Sequence, residues 1–193
     1  MTELKENETL EDLLIDGLKI IQSKDLYRFS SDAVLLSKFA SFKKGDKVID
    51  LCAGSGIVGL HFYALHKDLK SVKEVEIQPE LTDLCRRSVE YNGLQSVFTV
   101  DNIPLQELPT GENGRYSLVL CNPPYKKAGS GETNPIKSVA IARHELTGNT
   151  STQTTAVTPK SGCKVTTFSL ISQIFRYFLS ISSQFFCFLY YCH

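Results

Sequence analysis

The chain has 193 residues, 42% of them hydrophobic and 22% charged, and 21 Lys/Arg balance 21 Asp/Glu at a formal net charge of zero. That length suits one domain with a sizeable core, and the neutral balance argues against a partner selected by bulk charge, nucleic acid or acidic. The opening MTELKENETLEDLL is acidic and polar, unlike a signal or transit peptide. The six cysteines are therefore expected as free thiols in a reducing cytoplasm. They show no CxxC pairing, so no metal site is expected.

Residues 10–29 hold two short apolar stretches on either side of Ser23-Lys24-Asp25, the pattern of a β-hairpin. In SSDAVLLSKFASF, Ser30, Ser31 or Asp32 can cap a helix whose apolar positions Val34, Leu35 and Phe39 share one face. From Lys47 strands and helices alternate. Strand KVIDLCAG ends in a glycine turn and is followed by helix IVGLHFYALHK. Strand VKEVEI precedes helix PELTDLCRRSVEYNGL, which has Pro79 in its first turn and Gly93 past its end. SVFTVD and YSLVLC complete four strands. Such alternation predicts an α/β fold with a parallel sheet and helices on its faces, and ligands of these sheets lie beyond the carboxyl ends of the strands.

In DLCAGSGIVG, Gly54, Gly56 and Gly59 fit G-x-G-x-x-G, which brings a backbone close to a nucleotide. A tight strand-to-helix turn is the plainer reading. Glu76 ends the next strand 22 residues after Gly54, near the roughly 20 expected of a carboxylate that holds ribose hydroxyls. Asp50, just before the glycines, would repel a pyrophosphate and suits a cofactor with a cationic centre and an ammonium group. The pattern thus favours S-adenosylmethionine over NAD. Asp101, ending the third strand, can accept from the exocyclic amine of an adenine or can be a solvated turn acid, and Asn102 is a neighbouring candidate. YSLVLC then stops on Asn122-Pro123-Pro124-Tyr125. Proline denies a strand its ladder N–H and stiffens the carbonyls that follow. An Asn side-chain oxygen and the Pro123 carbonyl can together accept both hydrogens of a planar –NH2, while Tyr125 offers a ring for a base to stack on, worth roughly 1–3 kcal/mol. His61 and His66 read as packing or surface residues, and Cys52 and Cys121 as small buried residues without a basic partner.

The glycine motif with NPPY resembles the class I methyltransferases that act on amino groups. GLKIIQSKDLYRFSSDAVLLSKFA (17–40), VEIQPEL (75–81) and NPPYKKAGSGETNP with AIARHEL (122–146) resemble the bacterial adenine-N6 methyltransferases that modify the adenine beside the anticodon of a valine tRNA. The resemblance spans about residues 10–147. It implies a Rossmann-like sheet, S-adenosylmethionine as cofactor, valine tRNA as partner and a monomer. Asp50, Gly54 and Gly56 would meet the methionine part of the cofactor, Glu76 the ribose, and Asp101 or Asn102 the adenine. Asp32, in RFSSD, would close over it. Asn122 and Pro123 would grip the target amine, with Pro124 and Tyr125 at the base. Arg143 would line the substrate side or belong to a charged helix surface. Glutamine methyltransferases of release factors share NPPY, but they carry a helical N-terminal domain where a hairpin is expected here.

That resemblance implies a domain over 1–147, with a hairpin and helix at 10–42 and a core at 46–147. Residues 148–193 form a tail outside it. Every acid lies at or before Glu145, and the last 48 residues are rich in Ser, Thr, Phe and Cys. They read as translation in another frame from about 146–152, or as a divergent tail. Within 165–192, Arg176 and scattered Ser and Gln argue against a membrane span. The family's remaining strands and basic RNA surface are not recognisable. The strand at 116–121 is therefore expected as an open edge. Residues 1–145 carry 18 Lys/Arg against 21 acids, a net of −3 that suits phosphate poorly. Three functions remain: a tRNA adenine-N6 methyltransferase impaired by truncation, a protein-glutamine methyltransferase, and a non-catalytic fragment.

Overall fold

The computed structural model describes residues 3–29, 31–112 and 114–122 and the backbone of 164–167. Strands β1 (Glu8–Asp12) and β2 (Lys19–Ser23) pair antiparallel, with Leu10 opposite Ile21. The expected hairpin is present, but its turn lies at 13–18 and not at Ser23-Lys24-Asp25. Asp12 Oδ1 accepts from the Leu14 N–H at 2.7 Å, and Leu14, Asp16 and Gly17 adopt φ of 55°, 55° and 68°. A side-chain turn of this kind reverses the chain early. Leu13 and Ile15 thereby become loop residues packed against the core.

Helix α1 (Ser31–Phe39) begins where expected but buries a different face, made of Asp32, Ala33, Leu36 and Ser37. Val34 and Leu35 are half-buried, and Phe39 is 57% exposed. The reason is a polar contact that an apolar pattern does not reveal. Ser37 Oγ lies 2.7 Å from His61 Nδ1 on the next helix.

The main sheet comprises β3 (Lys47–Leu51), β4 (Ser71–Glu76), β5 (Phe98–Asn102), β6 (Leu118–Cys121) and β7 (Lys164–Thr167), in the order β5-β4-β3-β6-β7. All its pairings are parallel. Helices α2 (Ile57–Leu65) and α3 (Pro79–Tyr91) link β3 to β4 and β4 to β5, and Pro79 opens α3 as expected. Short 3-10 turns at Leu105–Glu107 and Thr110–Glu112 lead towards β6. Val48, Val72, Leu118 and Leu120 meet Leu36, Leu60 and Phe62 on one face, and Ile49, Leu51, Val75 and Val119 pack with Tyr116 on the other. Each such side chain, fully buried, stabilises by about 1.5–3 kcal/mol. The winding reverses between β3 and β6, so a crevice opens where their carboxyl ends part. The edge of β6 is not open: β7 pairs along it, Leu118 opposite Lys164 and Cys121 opposite Thr167. The boundary expected at 147 lies outside the described residues.

Candidate active site

Beyond β3 the chain turns sharply. Cys52 has φ 63°, and the Ala53 N–H still bonds Val75 O at 3.0 Å. Gly54 and Gly56 follow at φ 59° and 88°, a region costly to residues with a Cβ. Among the described residues nothing lies within 4 Å of the position a Gly54 side chain would take, so they leave the backbone there open to an approaching molecule. Gly56 caps α2, and a Cβ on it would fall 2.6 Å from Cys85 Sγ. Ser55, between them, accepts a bond from Gln22 Nε2 of β2, which ties the hairpin to the turn.

Glu76, at the end of β4, braces this turn. Its Oε2 accepts from the Gly54 N–H at 2.8 Å and its Oε1 from the Gln78 N–H at 2.9 Å. Burial raises its pKa against the pull of those amides. Asn102, at the end of β5, donates through Nδ2 to Glu76 O, Ile77 O and Thr82 Oγ1 at 2.9–3.0 Å. The Asp101 carboxylate pairs with Lys73 Nζ at 2.8 Å.

Beneath the turn lie two acids with no exposure at all, Asp50 and Glu74. They are direct partners in the β3–β4 register. Among the described residues none of their four carboxyl oxygens has a donor at good hydrogen-bond geometry, the Gly59 N–H of α2 acting on Asp50 only weakly. Burial pushes Asp50 up to about 7, helped by the Glu76 charge and opposed by Glu74 and the Gly59 N–H. Burial first and Asp50 second raise Glu74 well above the usual carboxylate range.

Across the crevice, Asn122 follows β6 and donates through Nδ2 to Asp32 Oδ2 of α1 at 3.4 Å. Ninety positions apart in sequence, these two meet in space. The structure thus gathers Asp50, Gly54, Gly56, Glu76 and Asn102 at the ends of β3–β5, with Asp101 beside them, and Asp32 with Asn122 on the β6 side. Pro123, Pro124, Tyr125 and Arg143 lie outside the described residues. Among the described residues no His, Cys, Asp or Glu cluster could hold a metal, and no helix is long and apolar enough to cross a membrane. Sequence reasoning overlooked Glu74, whose signal was its place between Val72 and Val75 in a strand covered on both faces.

A family described as Methyltransferase small domain matches residues 29–169. The chain belongs to that family. Its glycine turn, four leading parallel strands and covering helices form the Rossmann-like sheet expected of such a methyltransferase small domain. The domain is 29% identical over 119 residues to the tRNA1(Val) (adenine(37)-N6)-methyltransferase of Shewanella sediminis, covering 60% of this chain and 47% of that protein. It is 26% identical over 127 residues to the enzyme of the same name from Trichodesmium erythraeum, covering 65% of this chain and 52% of that protein. The chain therefore spans about half the length of these curated relatives. Among solved structures it resembles P. horikoshii TYW2 in complex with MeSAdo at a TM-score of 0.50 and 19% identity, over 60% of this chain and 42% of that one. That likeness concerns the fold.

Proposed function

We propose that this chain carries the cofactor site of an S-adenosylmethionine-dependent methyltransferase whose target is the N6 amine of the adenine beside the anticodon of valine tRNA. One observation carries the reading: an open glycine turn braced by Glu76, with a buried acidic pair directly beneath it. These residues fit the cofactor. The space at Gly54 admits a close ligand, and the Glu76 carboxylate, held by the Gly54 and Gln78 N–H groups at the end of β4, is the acceptor offered to a ribose hydroxyl. Asp50, fully buried, acts through its field on a cationic centre above the turn and not by contact. Asp101, shared with Lys73, faces the adenine end, and Asn102 fixes the backbone there. Bound here, S-adenosylmethionine supplies an electrophilic methyl group on a sulfonium centre.

On the substrate side, a carboxylate only accepts hydrogen bonds, so Asp32 fixes the Asn122 amide with its NH2 inward. The Asn122 oxygen is thereby turned away from Asp32. That oxygen and the Pro123 carbonyl accept the two N6 hydrogens and localise the amine lone pair for attack. Pro124 and Tyr125 hold the base, and Arg143 lines its approach. A tRNA adenine must leave its stack to enter such a pocket. The acceleration comes from positioning and electrostatics. Support for this substrate comes from the names of the relatives and from the hairpin start, which is unlike a helical N-terminal domain.

Calorimetry with S-adenosylmethionine tests the first half, with Asp50→Ala as control. Binding by the wild type, weakened at least tenfold in the variant, is expected. No binding by a folded, monomeric wild type would refute the reading. Transfer of labelled methyl to valine tRNA, measured at low salt because the net charge of residues 1–145 is −3, tests the second half. Transfer to a release factor in preference to tRNA would refute it.

A further inference from the structure

Asp50 and Glu74 face one another with no exposure and, among the described residues, no donor at good hydrogen-bond geometry on any of their four oxygens. Two bare carboxylates in that position would repel strongly and bear an uncompensated desolvation cost. Among the described residues no basic side chain relieves them. Lys73, next to Glu74 in β4, pairs instead with Asp101 and Glu112, and Arg86 of α3 donates to Val100 O. The groups that do act on the pair are Glu76 from β4 and the Gly59 N–H from α2. The thiols of Cys52, after β3, and Cys85, from α3, feel the charge of Asp50, and both are held neutral. The arrangement becomes consistent when the two carboxyls share one proton, with one acid donating to the other.

We propose that Glu74 is a positioning residue for the cofactor: it keeps the shared proton and donates to Asp50, so that the single negative charge sits on Asp50 below the glycine turn. Gly59 makes this possible, because a side chain there would fall 1.9 Å from Glu74 Oε1. Protonating Asp50 as well removes the charge that attracts the cation. Binding of a cationic cofactor therefore expels up to one proton to solvent when the pair begins doubly protonated. The inference rests on residues 50–56 being the cofactor site.

The probe is S-adenosylhomocysteine, whose ammonium group keeps its charge over the range used. Its dissociation constant is measured by calorimetry from pH 6 to pH 8 on the whole chain. With Asp50 titrating near 7, the competent fraction changes about tenfold across that range, and the apparent affinity falls about tenfold at pH 6. In Glu74→Gln the amide takes over the donation to Asp50, which stays buried, so both the affinity at pH 8 and the roughly tenfold slope are expected to be retained. In Glu74→Leu the donor is lost, and binding at pH 8 should weaken about tenfold in a chain that still folds. A flat wild-type profile, or binding at pH 8 as weak in Glu74→Gln as in Glu74→Leu, would overturn the inference and leave the cofactor site standing. No binding at any pH by the folded chain would overturn both.

Discussion

Replacing Gly59 by alanine sets two effects of opposite sign against each other. Gly59 is buried within α2, where alanine is better than glycine by about 1 kcal/mol in helix propensity. The added Cβ would lie 1.9 Å from Glu74 Oε1 and 2.8 Å from its Cδ. A carboxyl with no exposure, confronted by Asp50, has nowhere free of cost to retreat. Overpacking of this kind costs about 1–3 kcal/mol. Gly59→Ala is thus expected to destabilise the wild type by about 0–2 kcal/mol. In a Glu74→Ala background the obstacle is gone, and the same change should stabilise by about 1 kcal/mol. Urea unfolding of all four proteins at pH 6 measures the coupling, expected at about 1–3 kcal/mol. If Gly59→Ala stabilises both backgrounds equally, the contact between α2 and Glu74 is not as described and the buried pair loses its structural basis.

Four further outcomes are expected. Arg87 grips both oxygens of Glu8, whose side chain is 3% exposed, so Arg87→Ala should cost about 2–3 kcal/mol in urea unfolding. Because that guanidinium lowers the pKa of Glu8 from 4.5, the stabilisation is present above pH 4.5 and is lost as pH falls below it; an acid titration of Glu8→Gln should lack that component. His61 is held below its usual 6.5 by burial and by Lys38. Its folded neutral form stabilises fully above pH 6.5, and the benefit drains as pH falls from there through the folded value, which NMR of its ring protons would follow. The Cys121 contact and, after it, burial raise the Cys52 thiol, and burial raises Cys85. Iodoacetamide at pH 7.5 should label neither until the chain unfolds, as peptide mass mapping would read.

Much of this was written in local pattern. Strand–helix alternation from Lys47 located four strands and two helices, because apolar runs bounded by Gly and Pro can form little else. The glycine turn was legible for the same reason: Gly54 and Gly56 take the left-handed angles that their residue type allows. What escaped depended on partners distant in sequence. Glu74 drew no reading from the sequence, because only the covering of both sheet faces buries it opposite Asp50. Asp32 lies beside Asn122 because α1 reaches the end of β6, a contact no window of sequence contains. The buried face of α1 was misjudged because Ser37 is chosen by His61 and not by hydrophobicity. The hairpin turn was misplaced because Asp12 and two left-handed non-glycine residues close it, a device with a weak sequence signature.

Among the described residues the outer edge of β2 meets no third strand, yet its polar groups are matched. The Lys19 N–H bonds Asn92 Oδ1 at 2.9 Å, Asn92 Nδ2 returns a bond to Lys19 O at 2.7 Å, and the Ile21 N–H reaches Ser88 Oγ at 2.9 Å. Side chains one turn apart along α3 and just past it thus read a peptide backbone as a neighbouring strand would. Such a reader recognises shape and spacing more than side-chain identity. The hairpin becomes an addressable part: a chain divided between Asp25 and Phe29 would present its own complementary surface on α3, and the first piece, added separately, would have one register in which to dock.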